Sequence, residues 1–379
     1  MKPPVAPFTE TDRRHMSRCL TLARQGLGKT SPNPMVGAVL VRDGKVLGEG
    51  AHMKLGAPHA EVAAIVAAGN DCRGATLYVN LEPCCHHGRT PPCVQAIARS
   101  GIRRVIAAME DPNPLVSGKG FGALRAAGVE AEVGLLERQA RQLNEVFVTY
   151  HTKKRPFVIA KWAMTLDGRT SIDSGPSRWI SHELSRQYVH QIRSQCDAIL
   201  VGVGTVIQDN PQLTVRLKGY SGRQPTRIIV DGDLRSPLGA RCFSRHRGGA
   251  PTILATTSMA PPERIRRAER AGHKVLQVRG RRRIVDLAHL CGRLYDEGIS
   301  SVLCEGGRQI HTSLFREGLV DKVIVFVAPK LIGGQRPTSP LEDLGIGRMK
   351  EALALERIEI HHFRDDVCIE GHVKSAGAG

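Results

Sequence analysis

Aromatic residues are scarce, with Trp 2, Tyr 5 and Phe 8 in 379 residues. So few rings leave little platform for stacking the bases of an extended single strand, which argues against a nucleic-acid binder. Long apolar runs are missing as well. No stretch approaches 18 consecutive apolar residues, and the N-terminal MKPPVAPFTETDRRHMSR leads into no hydrophobic segment, so neither membrane spanning nor export is expected. Acidic side chains are the minority, 36 against 54 basic ones, for a net charge of +18. Such a field attracts phosphates, nucleotides or nucleic acid without choosing among them. Regular cysteine spacing is also lacking. The ten cysteines stand at 19, 72, 84, 85, 93, 196, 242, 291, 304 and 368, with only three of them close together. That is no disulfide framework, and it fits a reducing, cytoplasmic protein whose dispersed thiols serve as small buried apolar groups.

The length exceeds twice the roughly 150 residues of an ordinary domain, so two cores are expected. Residues 10–28 read as a helix, Val36 to Val41 as a strand followed by an Asp43-Gly44 turn and a second strand, His59 to Gly69 as an Ala/Val/Ile-rich helix and Thr76 to Leu81 as a strand. Pro92 to Ser100 is a helix candidate, Val105 to Met109 a strand, and Phe121 to Ala127 and Leu135 to Tyr150 helices. The polar Lys153-Lys154-Arg155-Pro156 then punctuates the chain, placing a first domain at 1–150 and a second at 151–379. In the second half FVIAKWAM, DAILVGVGTVI, TRIIVDG, PTILATT, HKVLQV, SSVLCEGG and DKVIVFVAP are strand-like runs separated by turns or helices, the pattern of a mainly parallel sheet covered by helices. No internal repeat links the halves, so two different modules are expected.

The first half carries one chemical cluster. His59-Ala60-Glu61 opens a helix, and Pro83-Cys84 and Cys93 follow a strand, so one imidazole and two thiolates can converge on zinc and leave a position for water. Glu61, two residues beyond the histidine, is suited to moving protons rather than ligating. The pattern is that of zinc-dependent amine hydrolysis, H-x-E with P-C. A purely structural zinc site is the bland alternative, and Cys85 and His86 are nearby donors that compete for the ligand roles. His52 is either a substrate contact or a satisfied loop histidine. In the second half Lys161 to Arg169, Ser177 to Ile180, Arg193, Gly202 to Arg216 and Glu305-Gly306-Gly307 are polar and glycine-rich stations. Glycines before a helix admit an anion to backbone N–H groups, and Arg193 or Arg216 can fork onto phosphate. By itself Gly202-Val203-Gly204 is no more than a tight turn, since the full dinucleotide fingerprint is absent.

SPNPMVGAVLV at Ser31 to Val41, HAE at His59 to Glu61 and EPCCHHGRTPPC at Glu82 to Cys93, followed by KWAMTLDG, SRWI, DAILVGVGTVIQDNPQLTVR, CEGG and VAPKLIGG, occur in an order that resembles the bifunctional deaminase-reductase family of riboflavin biosynthesis. The resemblance implies an α/β protein with an N-terminal cytidine-deaminase-like three-layer domain and a C-terminal dihydrofolate-reductase-like domain. It implies zinc on His59, Cys84 and Cys93, Glu61 as proton shuttle, and Asn33 and the Gly88-Arg89-Thr90 loop beside a pyrimidine phosphate. It further implies NADPH contacts from Ala163, Trp179, Thr205, Asp209 and Gly307, and substrate contacts from Ser177, Arg193, Leu213, Arg216 and Glu305. Lys161 and Asp209 stand as polar organisers of the reacting sugar. The implied reactions are deamination of 2,5-diamino-6-(5-phosphoribosylamino)pyrimidin-4-one, then reduction of the product's ribosyl group to ribityl. The implied partners are phosphorylated pyrimidines and further copies of the chain, in a homodimer or larger homo-oligomer assembled through the reductase domains. A zinc deaminase of free nucleosides or nucleic acid, with the second half as a binding module, is the alternative reading.

The basic excess is local. Residues 241–293 hold 13 Lys/Arg against 3 Asp/Glu, a +10 that supplies over half of the total. Arg264, Arg266, Arg267 and Arg270 read as a solvated helix face, and Arg279 to Arg283 as surface residues or neighbours of a cofactor phosphate.

Overall fold

The computed structural model describes residues 8–69, 72–88, 91–171, 179–244, 252–334 and 339–374. Two compact units divide between Lys154 and Arg155.

The first unit runs α1 (Glu10–Ala23), β1 (Gly37–Arg42), β2 (Lys45–Ala51), α2 (Ala60–Ala67), β3 (Thr76–Val79), α3 (Cys93–Arg99), β4 (Arg104–Ala107), α4 (Lys119–Ala126), β5 (Glu130–Val133), α5 (Glu137–Leu143) and α6 (Glu145–Lys153). Thr9 and Asp12 form a capping box that starts α1. Asp43 and Gly44 both take positive φ, 50° and 75°, the conformation that lets a two-residue turn join β1 to β2. The sheet order is β2-β1-β3-β4-β5, antiparallel from β2 to β3 and parallel from β3 to β5. Met16, Leu40, Leu77, Ile97, Ile106 and Leu124 fill its core. Gly50 has a particular use here. A Cβ at that position would lie 2.2 Å from the Ala60 carbonyl oxygen, so only glycine lets the start of α2 press onto β2 and fix His59 and Glu61.

The second unit runs β6 (Phe157–Thr165), α7 (Glu183–Gln195), β7 (Ala198–Gly202), α8 (Val203–Asp209), β8 (Thr226–Val230), β9 (Thr252–Thr256), α9 (Pro262–Arg270), β10 (Lys274–Gln277), β11 (Gly280–Arg281), β12 (Ile284–Val285), α10 (Leu287–Asp296), β13 (Ser301–Cys304), α11 (Arg308–Arg316), β14 (Lys322–Ala328), β15 (Leu355–Phe363) and β16 (Asp366–Val373). Nine strands form one sheet in the order β10-β9-β8-β7-β13-β6-β14-β16-β15. Pairing is parallel from β10 to β14 and antiparallel at β16 and β15. Ala198 and Leu200 join one core cluster while Ile199 and Val201 join another, because successive side chains of a strand point to opposite faces. Both faces are buried, which is why β7 reads as an unbroken apolar run.

Two expected elements differ. The strand anticipated from Asp197 to Ile207 ends at Gly202 and becomes α8, and its apolar run continues because Val203 and Val206 are buried helix residues. The helix anticipated from Leu135 to Tyr150 breaks at Asn144, whose side chain accepts from Met35 N at 2.8 Å and donates to Met35 O at 2.9 Å. The terminal hairpin β15–β16 was not anticipated, since LERIEIHHF is charged throughout and β15 is largely exposed.

Candidate active sites

His59 precedes the first residue of α2 and Cys93 is the first residue of α3, while Cys84 lies in the segment after β3. Their ligand atoms all lie within 4.8 Å of one another. His59 Nδ1 is 3.2 Å from Cys93 Sγ and 3.5 Å from Cys84 Sγ. A cation bonded at about 2.0 Å to nitrogen and about 2.3 Å to sulfur sets tetrahedral ligand atoms roughly 3.5 Å apart, so the cluster fits zinc. The hydrogen bond from Cys93 brings the Cys84 thiol down to about 4, against the opposing effect of burial, and the same contact pushes Cys93 up. Both sulfurs bind a divalent cation as thiolates, and their closeness to His59 suits the pair to holding one. Cys85 and His86 fall outside this cluster. The Cys85 thiol approaches Leu115 O at 4.0 Å, and burial pushes it up.

Glu61 stands on the first turn of α2 and is 3% exposed. Burial, reinforced by the Cys84 thiolate, pushes its carboxyl up to about 7. A group near neutrality both accepts and donates a proton, the property a shuttle requires. The cavity in front of it has a volume of about 390 Å³. His52 Nδ1 faces Pro58 O at 3.1 Å, an acceptor only, so that nitrogen carries the proton. Its Nε2 then accepts from Asn33 Nδ2 at 3.3 Å. Burial holds the His52 imidazole below its ordinary value, so Asn33 and His52 line the cavity as a neutral pair. Gly88 lines it too, whereas Arg89 and Thr90 lie outside the described residues.

Asp111, Asn113, Tyr150 and His151 also line the cavity and were not singled out as site residues from the sequence. Asp111 and Asn113 sit in a polar turn that reads only as a loop, and the α6 pair carries no motif. Glu82 holds that turn. Its carboxylate accepts from the backbone N–H of Asp111, Gly118 and Phe121 at 3.1, 3.0 and 3.2 Å. The residue two before Cys84 therefore ties the ligand segment to the opposite cavity wall.

In the second unit Glu305, Lys161 and Arg193 meet at the carboxyl end of β13. Arg193 Nε and Nη2 reach Glu305 at 2.6 and 2.9 Å, and Lys161 Nζ stands 3.5 Å away. Burial raises the Glu305 carboxyl, but the Arg193 and Lys161 cations outweigh it and hold the group well below the usual carboxylate range. The remaining Arg193 contact is to Thr214 O at 3.0 Å. Three of its five N–H groups are thereby committed to protein, and Arg193 buttresses Glu305. Leu213 is 2% exposed and packs in the core, leaving its backbone as the group that can face a ligand. Arg216 is exposed and donates its N–H to His190 Nδ1 at 3.3 Å. Ser177 lies outside the described residues.

Gly204, Gly306 and Gly307 form an open cradle beside this cluster. A Cβ on Gly204 would meet nothing within 4 Å, and one on Gly307 only Thr205 Oγ1 at 3.4 Å, so side chains there would fill space that backbone N–H groups now border. Gly307 also caps the N-terminus of α11, where no side chain satisfies the first amides. Such a cradle suits a dinucleotide's phosphates. Thr205 lies on α8, Asp209 ends that helix, and Ala163 lies on β6. Trp179 is 60% exposed, with the Arg186 guanidinium 4.5 Å over its ring.

The family model of the cytidine and deoxycytidylate deaminase zinc-binding region matches residues 9–109, and that of the RibD C-terminal domain matches residues 156–369. The riboflavin biosynthesis protein RibD of Aquifex aeolicus is 44% identical over 95% of this chain and 98% of its own length, and that of Escherichia coli K12 is 39% identical over 94% and 98%. Among solved structures, Acinetobacter baumannii RibD superposes with a TM-score of 0.87 at 35% identity, covering 97% of this chain and 99% of that one. A Thermotoga maritima diaminohydroxyphosphoribosylaminopyrimidine deaminase/5-amino-6-(5-phosphoribosylamino)uracil reductase gives 0.80 at 37% identity, covering 96% and 99%. With a relative 44% identical over 95% of its length, the chain belongs to the RibD family of riboflavin biosynthesis enzymes and joins a zinc-binding deaminase domain of cytidine-deaminase type to a RibD reductase domain.

Proposed function

We propose that this chain removes the amino group of 2,5-diamino-6-(5-phosphoribosylamino)pyrimidin-4-one by hydrolysis and then reduces the ribosyl group of the resulting 5-amino-6-(5-phosphoribosylamino)uracil to ribityl. The observation that carries the first step is the convergence of His59, Cys84 and Cys93 beside the buried Glu61 carboxyl. These three side chains would hold zinc, which would supply a water activated near neutral pH. Glu61 carries one proton of the attacking water to the ring nitrogen beside the amino-bearing carbon and the second, from the resulting hydroxyl, to the departing amino group, so that a carbonyl forms and ammonia leaves. Asn33 and His52, a neutral hydrogen-bonded pair in the cavity wall, orient the pyrimidine.

For the second step, NADPH bound in the second unit would supply a hydride for C1 of the ribosyl group. Opening the sugar turns its ring oxygen into a hydroxyl, which needs one proton, and Lys161 Nζ holds one beside Glu305. Arg193 fixes the Glu305 carboxylate for the pyrimidine, while the Gly204–Gly307 cradle, with Ala163, Trp179, Thr205 and Asp209, receives the dinucleotide. Ser177, Leu213 and Arg216 complete the substrate side of the reading. Incubation with the diaminopyrimidine phosphate should release ammonia without NADPH, and should also oxidise NADPH once it is added. Ammonia release from cytidine or from single-stranded nucleic acid instead would favour the alternative of a nucleoside or nucleic-acid deaminase.

Pairing of two copies through the second unit is part of the proposal. The outer strand β15 leaves Ile358 and Ile360 48% and 58% exposed, and sedimentation at micromolar concentration tests whether two copies associate. A reducing cytoplasmic setting is supported by ten free cysteines. No helix among the described residues is long and apolar enough to cross a membrane.

A further inference from the structure

Helix α6 turns one aromatic face toward the cavity in front of Glu61. Phe147, Tyr150 and His151 follow the three- and four-residue spacing that puts side chains on one side of a helix, and all three line that cavity. The His151 ring sits 4.5 Å from Phe147 and 5.3 Å from Tyr150, edge to face in both cases, at 63° and 88°. Packing therefore fixes the imidazole on two sides. Among the described residues neither of its ring nitrogens has a hydrogen-bonding partner, and the side chain is only half-buried. A histidine held by its neighbours' rings, with both nitrogens unused, is equipped to meet a ligand.

Its protonation state narrows what that ligand group is. Burial, helped by the Lys154 cation, brings the imidazole down to about 4, so it is uncharged at neutral pH. One ring nitrogen then donates and the other accepts. A phosphate calls for charge, which this ring lacks. A sugar hydroxyl both donates and accepts, and it matches the ring in either tautomer.

The course of α6 says which part of the substrate lies there. Asn144, 2% exposed, anchors the start of the helix to Met35, and Phe147 is still 7% exposed. His151 is half-buried and residues 152–154 are exposed, so the helix runs from the interior outward. At 1.5 Å per residue His151 stands about 6 Å beyond Phe147 toward the open end. The buried Glu61 and Cys93 mark the inner end of the site. An amino-bearing carbon placed there leaves the ribosylamino group, two bonds away around the pyrimidine ring, to extend through the outer cavity. We propose that His151 is a specificity-determining residue of the deamination, hydrogen-bonded to a hydroxyl of the substrate's ribosyl group, and that Phe147 and Tyr150 position its ring. The contact favours a ribosylated pyrimidine over the free base. This assignment rests on the reading of the first unit as a deaminase of the diaminopyrimidine phosphate.

Steady-state ammonia release by the full-length, zinc-loaded chain tests it. His151→Phe keeps a ring against Phe147 and Tyr150 but carries neither donor nor acceptor. It should raise KM for the diaminopyrimidine phosphate about five- to tenfold, the scale of one hydrogen bond, with kcat within about twofold and zinc retained. His151→Gln, which keeps a donor and an acceptor without the ring, should recover most of the loss. The free base 2,5,6-triaminopyrimidin-4-one, added as a competitor, should inhibit the Phe variant and the unsubstituted chain with the same Ki, because it has no sugar to lose. An unchanged KM in the Phe variant overturns the proposal. So does a Ki for the base that rises in step with KM, which would put the contact on the pyrimidine, and so does a Gln variant as impaired as the Phe one, which would leave His151 a packing role. An unsubstituted chain that releases no ammonia from the diaminopyrimidine phosphate loses the deaminase reading itself, whereas release with KM unmoved by the Phe substitution loses this contact alone.

Discussion

Arg193 and Glu305, 112 residues apart, meet in two parallel bonds of 2.6 and 2.9 Å with both side chains about nine-tenths buried. Such a pair is worth little as net stabilisation, because desolvating two charges offsets their attraction, but removing one partner strands the other. Arg193→Gln should therefore cost the second unit about 3–5 kcal/mol of stability and most of its NADPH oxidation. Ammonia release by the first unit should persist. Thermal melts with both assays check this, and loss of both activities together would contradict it.

The same pair sets an acid limit. The folded carboxyl of Glu305 titrates well below its unfolded value near 4.3, so its contribution is fully present above that value and is lost as pH falls below it. Denaturant unfolding of the second unit between pH 3 and 7 should show stability dropping below about pH 4.5. In Glu305→Gln the drop should be shallower. An identical slope in the two proteins would remove Glu305 from the account.

Metal content distinguishes the neighbouring cysteines. Cys93→Ser should leave the purified protein with little zinc, whereas Cys85→Ser should keep nearly all of it, because the Cys85 thiol points toward Leu115 O rather than into the ligand cluster. Equal loss in both variants would restore Cys85 as a ligand.

Glu82 is expected to act at a distance from the metal. Glu82→Ala leaves three backbone N–H groups without their acceptor, at about 1–3 kcal/mol each where they stay dry. The wall carrying Asp111 and Asn113 should loosen, raising KM for deamination more than it lowers kcat, with zinc retained. Zinc loss would instead place Glu82 in support of Cys84.

What the sequence revealed follows from what its chemistry makes rare. His59, Glu61, Cys84 and Cys93 stand out because few arrangements put an imidazole, two thiols and an acid within 35 residues, and helix starts bring them together. Glu82 stayed silent because its partners are backbone amides, which have no sequence signature. Arg193 stood out as a cation, but its partner lies at the end of a strand 112 residues away, so a phosphate contact was the natural reading. Arg264 and Arg267 were legible as one helix face, and a cavity next to that face depends on how the 234–238 segment folds beside α9. The parallel sheet was plain from its apolar runs, while β15 was hidden by its charges.

The central claim is that two separate sites act in series on one chain, and Glu61→Gln tests it most directly. With the diaminopyrimidine phosphate and NADPH supplied together, this variant should retain zinc, release ammonia at least about a hundredfold more slowly and oxidise almost no NADPH. Adding the deaminated uracil derivative should then restore NADPH oxidation to the unsubstituted rate. Normal ammonia release, or failure of the deaminated compound to restore oxidation, would contradict the account.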